Sequence, residues 1–360
     1  MKISLTFFFF VLAYAFFKHG IQLPEVALAE EPTVEVKDKV SVVHHENEKK
    51  VTVMMGDELF TAYIYPDDLE KPVLYPVNAP GNITLTRGFP LEAKGGERAD
   101  HPHHVGIWMN YGDVNGLDFW NNSYNIPEEK KDHYGSIRHQ KVLNTRSGDQ
   151  GVLQVSADWL SPQGDKLLNE QTTFYFREEG GQRIIDRVVV LTAQDQKVNF
   201  HDNKEGMIAI RVTRALEFPS EKPVKLTDSE GKPMSEATLN NEGVNGNYLS
   251  SEGVSGEQVW GTRAEWMKLY GNIDNEPVAI AIIDHPQNPG YPTYWHARTY
   301  GLFAANPLGQ EVFSEGKEKL DFSLDPGEDV TFRYRIIIAS GEKLTATQLN
   351  TLAKDFSQVL

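Results

Sequence analysis

The run Leu167-Leu168-Asn169-Glu170-Gln171-Thr172-Thr173-Phe174-Tyr175-Phe176-Arg177, then Glu178-Glu179-Gly180-Gly181, then Gln182-Arg183-Ile184-Ile185-Asp186-Arg187-Val188-Val189-Val190-Leu191-Thr192, decides the fold. β-branched and aromatic residues recur on both sides of a short Glu-Glu-Gly-Gly connection, which predicts two antiparallel strands joined by a tight turn. The same signal predicts strands over Thr33–Val43, Lys50–Met55, Leu59–Tyr65, His103–Asn110 and Gly151–Leu160. Beyond the hairpin it predicts Met207–Thr213, Val278–Asp284, Tyr294–Thr299, Leu302–Ala305, Leu320–Leu324 and Val330–Ala339. Only the C-terminus reads as a helix of any length: Thr345-Ala346-Thr347-Gln348 has the capping-box pattern, and Leu349, Leu352 and Phe356 fall on one face. So many strands with almost no helix between them exclude a parallel βαβ topology. The expected class is all-β, a large antiparallel β-sandwich with a short C-terminal helix. No internal repeat is present. Asp228–Glu257, rich in Gly, Ser, Asn and Glu, reads as a loop insertion within one domain spanning 30–360.

The N-terminus is set apart. Lys2 precedes an apolar run from Ile3 to Phe17, and Ala27-Leu28-Ala29 offers a small-residue cleavage pattern before Glu30. Residues 1–29 therefore read as a signal peptide, with a periplasmic or secreted destination in a bacterium. Fifteen apolar residues are short of the roughly twenty needed to span a bilayer, and no membrane span is expected after cleavage. The chain has no cysteine, so neither disulfides nor thiolate metal sites are available. Its formal charge of −16 becomes −17 once Lys2, Lys18 and Glu25 leave with the signal peptide. That balance argues against nucleic acid and makes neutral or cationic substrates easier to accommodate.

The chemistry concentrates in Asp100-His101-Pro102-His103-His104-Val105-Gly106-Ile107-Trp108 and Gly112-Asp113-Val114-Asn115-Gly116-Leu117-Asp118-Phe119-Trp120. On an extended backbone, His101 and His103 face one way and His104 the other. His103 and His104 are candidate proton-transfer residues, and His101 with His103 could ligate a divalent metal given a third ligand such as His296 or His201. Asp113 and Asp118 flank the Asn115-Gly116 turn and could orient an imidazole. Trp120 lies where a strand meets a loop, a common place for an indole to stack on a ligand. A second cluster, Asp284-His285-Pro286 followed by Gly290-Tyr291-Pro292-Thr293-Tyr294-Trp295-His296-Ala297-Arg298, places His296 and Arg298 on one strand face. His296 would oppose the first cluster, Arg298 would hold hydroxyls or a carboxylate, and Tyr294 would line the wall. Arg87, in Arg87-Gly88-Phe89-Pro90, is a further candidate for substrate contact.

At H-P-H-H-x-G-I-W and G-D-V-N-G-x-D-F-W the sequence resembles a bacterial family labelled PmoA-like or "methane oxygenase", whose biochemical role is poorly defined. The likeness runs from Tyr75-Pro76 through Tyr294-Trp295-His296 to the last strands. Separately, Leu324-Asp325-Pro326-Gly327-Glu328-Asp329-Val330-Thr331-Phe332-Arg333-Tyr334-Arg335 resembles the turn and final strand of the galactose-mutarotase-like supersandwich proteins. That second resemblance implies a supersandwich. Its aldose epimerases carry a glutamate base on the strand before this turn; here Phe303-Ala304-Ala305-Asn306-Pro307 has no acid, and the nearest is Glu311.

These features together predict an exported carbohydrate-active protein doing histidine-based acid/base work, as a hydrolase, lyase or epimerase, on a sugar or glycan fragment. Paired carboxylates for ordinary glycoside hydrolysis are not evident. The alternatives are a metal-dependent enzyme using His101 and His103, and a glycan-binding protein without catalysis.

Overall fold

The structure, a computed structural model, describes residues 39–341 and 344–359. The predicted signal peptide and the start of the predicted strand Thr33–Val43 lie outside the described residues. The founding hairpin forms as read: Lys166–Glu179 pairs antiparallel with Gln182–Ala193, with Glu179 opposite Gln182 and Phe176 opposite Ile185. Gly180 and Gly181 have φ of 58° and 75°, the left-handed pair that a two-residue turn between twisted strands requires.

Two large antiparallel sheets follow from this alternation. The first runs, in spatial order, Val40–His45, Lys50–Met55, Glu58–Ile64, Val73–Ala79, Ile107–Met109, Ile208–Arg211, Leu302–Asn306 and Tyr294–Ala297, with Ile83–Thr84 paired beside Val73–Ala79. The second runs Asn247–Ser250, Trp266–Ile273, Glu276–Asp284, Asp329–Ser340, Gln182–Ala193, Lys166–Glu179, Gly151–Leu160 and Ser136–Arg146. Their facing sides share one core, in which Val53, Phe60, Ile107, Ile210 and Phe303 meet Leu153, Phe176, Val189, Ile282 and Phe332. The expected antiparallel sandwich is therefore observed.

The helix Ala346–Phe356 forms with both hydrogen bonds of its capping box, between Thr345 and Gln348. It lays Leu349 and Phe356 on the outer side of the second sheet, against Trp266, Ile283 and Ile337. Within Asp228–Glu257 the chain is partly regular: Pro233–Thr238 pairs with Val224–Thr227, and Asn247–Ser250 joins the edge of the second sheet. Among the described residues no helix is long and apolar enough to cross a membrane.

The predicted strand His103–Asn110 shrinks to Ile107–Met109, because His101–His104 is a turn closed by the His104 amide donating to the His101 carbonyl at 2.9 Å. The expectation that His101 and His103 share one face, with His104 on the other, fails with it.

Candidate functional site

The first sheet's outer side carries the site. In Ile107–Met109, Ile208–Arg211, Leu302–Asn306 and Tyr294–Ala297, residues alternate between the core and this outer side. Ile107, Met109, Ile208, Ile210, Phe303, Ala305 and Trp295 point inward. In register across the four strands, Trp108 lies opposite Ala209, Ala209 opposite Ala304, and Ala304 opposite His296. The two alanines leave room above themselves, and Trp120 packs there with Trp108 in a small apolar cluster. The Trp120 ring lies 5.2 Å from Trp108, 5.8 Å from His104 and 6.4 Å from His296, centroid to centroid. Two segments nearly two hundred positions apart thus meet across one indole.

The histidine turn is built on a buried guanidinium. Arg87, 1 % exposed, donates to the carbonyls of Arg98, Asp100, His101 and His104 and to Asp100 Oδ1 at 2.8 Å. A second buried guanidinium, Arg211, donates to Asp100 Oδ1 at 2.6 Å and to His104 Nδ1 at 3.2 Å. His101 has φ of 44°, a left-handed conformation uncommon outside glycine. It is held by stacking, 4.9 Å from both His104 and Tyr300. His103 completes the group, 4.3 Å from His104.

Burial keeps the imidazoles of His103, His104 and His296 uncharged. It pushes His103 down to about 2, with the Lys71 and His101 charges adding to the effect, and His296 down to about 3, with Arg298 and Lys204 contributing. His104 is lowered as well, first by burial and then by His103 and Arg211. A guanidinium only donates, so Nδ1 of His104 is the acceptor and Nε2 carries the proton. For Asp100 burial acts upward, but Arg211, His101 and Arg87 together hold it well below the usual carboxylate range.

The family model for a family of unknown function (DUF6807) matches residues 50–354. The chain belongs to this family. No curated protein matches the sequence of this DUF6807 chain. Among solved structures it is similar to the galactosidase domain of an alpha-galactosidase–sucrose kinase, at 9 % identity and TM-score 0.34, covering 83 % of this chain and 41 % of that one. It is also similar to an Escherichia coli K12 protein provisionally assigned as an aldose 1-epimerase, at 10 % identity and TM-score 0.35, covering 85 % and 99 %. A galactose mutarotase related enzyme from Lactobacillus acidophilus follows at 10 % identity and TM-score 0.27, covering 85 % and 100 %. Likenesses this distant carry no inference about the chemistry of the DUF6807 chain.

Of the predicted site residues, His101, His103, His104, Trp120 and His296 gather in one cluster, and Arg298 borders it. Arg298 is exposed in the turn after Tyr294–Ala297, its guanidinium 5.6 Å from the Trp260 ring and 5.9 Å from the Tyr300 ring. Several expectations need correction. Arg87 is spent on backbone carbonyls and Asp100, so it shapes the turn instead of meeting a ligand. Trp120 is wholly buried and forms the floor, with no open face for stacking. Asp113 bonds an imidazole, but that of His201 at 2.8 Å, and it accepts the Gly116 amide in its own turn. Asp118 accepts from the Trp120 and Asn121 amides and the Asn121 side chain, so it sets the Trp120 turn and orients no histidine. Tyr294 is also buried, stacked on Phe313 at 5.5 Å with Arg263 over its ring. Among the described residues no three His, Cys, Asp or Glu side chains are grouped to hold a metal ion, His101 and His103 included.

Three participants escaped the sequence reading. Lys71 is buried, donates to the His103 carbonyl at 2.8 Å, and is lowered to about 7 by burial, partly offset by Glu70 and Asp118. Arg211 reads in sequence as an ordinary strand cation. Glu205 places Oε2 3.6 Å from Nδ1 of His296, an acid where the segment Phe303–Pro307 offers none. Its loop is pinned by the Gly112 amide donating to the Glu205 carbonyl at 2.8 Å and by the Asn203 side chain accepting the Glu205 amide at 2.9 Å. Gly112 permits this approach, since a Cβ there would come within 2.8 Å of Glu205 Cβ. The pairing of Gly112 with a distant loop leaves no mark in local sequence.

Proposed function

We propose that the chain is an exported carbohydrate-active enzyme that moves protons on a sugar or sugar-derived ligand seated at the rim formed by His101, Tyr300 and Arg298. One observation carries this reading. Five ring nitrogens, Nε2 of His103 and His104, Nδ1 of His296 and Nε1 of Trp108 and Trp120, are buried in one cluster without a hydrogen-bond partner in the protein. Buried polar atoms are otherwise paired in the great majority of cases. So much unspent hydrogen-bonding capacity, set among flat rings, suits a polyhydroxylated ring better than an apolar ligand. His104 supplies an N–H donor, and the His296–Glu205 pair supplies an imidazole and a carboxylate able to pass a proton by way of a ligand hydroxyl. Hydrolysis, lyase chemistry and epimerisation all use such a set. Export rests on the N-terminal sequence.

The test is a screen of plant and algal oligosaccharides with product analysis by mass spectrometry and NMR. Once a substrate is in hand, His296→Ala and His103→Ala should each lower turnover by roughly 10²- to 10⁴-fold. Binding without any product, unchanged by replacing His103 and His104 together, would instead mark a glycan-binding protein.

A further inference from the structure

The charges at the site are out of balance, in the opposite sense to the chain. Four guanidiniums, of Arg87, Arg98, Arg211 and Arg214, share two carboxylates, Asp100 and Glu217. Burial keeps His103, His104 and His296 neutral, and Lys204 and Glu205 pair with each other. Arg298 adds a further cation at the surface. Among the described residues no carboxylate lies within ion-pair distance of it, and it is held instead between the rings of Trp260, which is 37 % exposed, and Tyr300. Arg211 lies 5.1 Å from the same Tyr300 ring. A protein of net charge −16 thus gathers more guanidiniums than the carboxylates they share beside its unspent ring nitrogens.

We infer that the ligand is an anionic sugar, a uronate or a sulfated sugar, whose oxyanion is gripped by Arg298 while its ring hydroxyls reach toward His104 and His296. The Arg298 guanidinium has no side-chain hydrogen-bond partner among the described residues, and its fork of donors matches the spacing of carboxylate or sulfate oxygens. The two cation–π contacts fix its direction without neutralising it. An arriving anion would also offset the Arg298 charge, which comes second to burial among the causes that depress His296. This refines the expectation drawn from whole-chain charge, because screening confines exposed charges to about 8 Å at physiological salt and lets the local balance decide.

The inference rests on the sugar reading above, and calorimetry on the full chain separates the two. Galacturonate, galactose 6-sulfate and galactose, with the matching glucose series, are titrated as monomers and trimers at low and high salt. The expected result is binding of an acidic sugar about 10- to 100-fold tighter than its neutral counterpart, as a charge-assisted contact provides, with most of the gain lost at high salt. Arg298→Gln should abolish the difference between acidic and neutral sugars, and Arg298→Lys should keep part of it. Whichever acidic arm responds distinguishes carboxylate from sulfate. Equal binding of acidic and neutral sugars, or no effect of Arg298→Gln, overturns the anionic assignment and leaves the sugar reading standing. No binding of any of these sugars overturns both.

Discussion

Nη1 of Arg211 lies 3.2 Å from Nδ1 of His104, and the two residues are 107 positions apart in sequence. Because the guanidinium cannot accept, this contact selects the His104 tautomer with its proton on Nε2, aimed into the cluster. Long-range ¹H–¹⁵N NMR of the imidazoles should find His104 neutral, protonated on Nε2, down to pH 5. A signal for protonated Nδ1, or titration between pH 5 and 7, would remove the donor from the proposed chemistry.

Stability should fall on acidification from about pH 6.5. His103 and His296 have folded-state pKa values below their unfolded ones, so their contribution is complete above about 6.5 and is lost as pH drops toward the folded values of about 2 and 3. By pH 4 each should cost on the order of 3 kcal/mol. Asp284 acts with the opposite sign. Burial raises it to about 7 against the hydrogen bonds from Asn288, Thr293 and His285, so its contribution is complete below about 4 and is lost as pH rises toward 7. Urea unfolding across this range should therefore show a shallower slope in His296→Gln and a steeper one in Asp284→Asn. Parallel curves for all three proteins would contradict the assignment.

Arg87→Met tests whether that guanidinium holds the turn. It removes one donor from each of four carbonyls and from Asp100, which keeps Arg211, and a loss of about 3 kcal/mol is expected. Hydrogen exchange should show lost protection centred on residues 98–104. A variant of wild-type stability with impaired ligand affinity would return Arg87 to the role of a binding residue.

Glu205→Gln keeps the shape of the loop and removes its negative charge. Turnover of any substrate found should drop roughly 10²- to 10⁴-fold with the melting temperature little changed. Unaltered turnover would leave His296 without Glu205 as its proton partner.

The parts of the molecule that were legible in sequence are those fixed by local pattern. Gly151–Leu160 and Lys50–Met55 form as strands over the residues read from their alternation, and Thr345 caps its helix as its spacing to Gln348 requires. Val73–Ala79 was missed because Pro76 interrupts it. Ser136–Arg146 was missed because it is a polar edge strand with little buried surface. The histidines were found by their density, but their conformation was misread. A turn held by Arg87 and Arg211 is specified from outside the segment, and no property of residues 101–104 announces those donors. Asp113 and Asp118 show the converse: they stand in the right stretch, yet the nearest amides consume them.

Ala209 and Ala304 bear on how such a site could diversify. The indole above them rests on two methyl groups that no ligand at the rim would reach, and its height sets the gap between His104 and His296. A bulkier residue at either place would jack the platform outward and respace the imidazoles, with every reactive group retained. Relatives that differ in what they accept should therefore vary in this concealed foundation before they vary in their histidines.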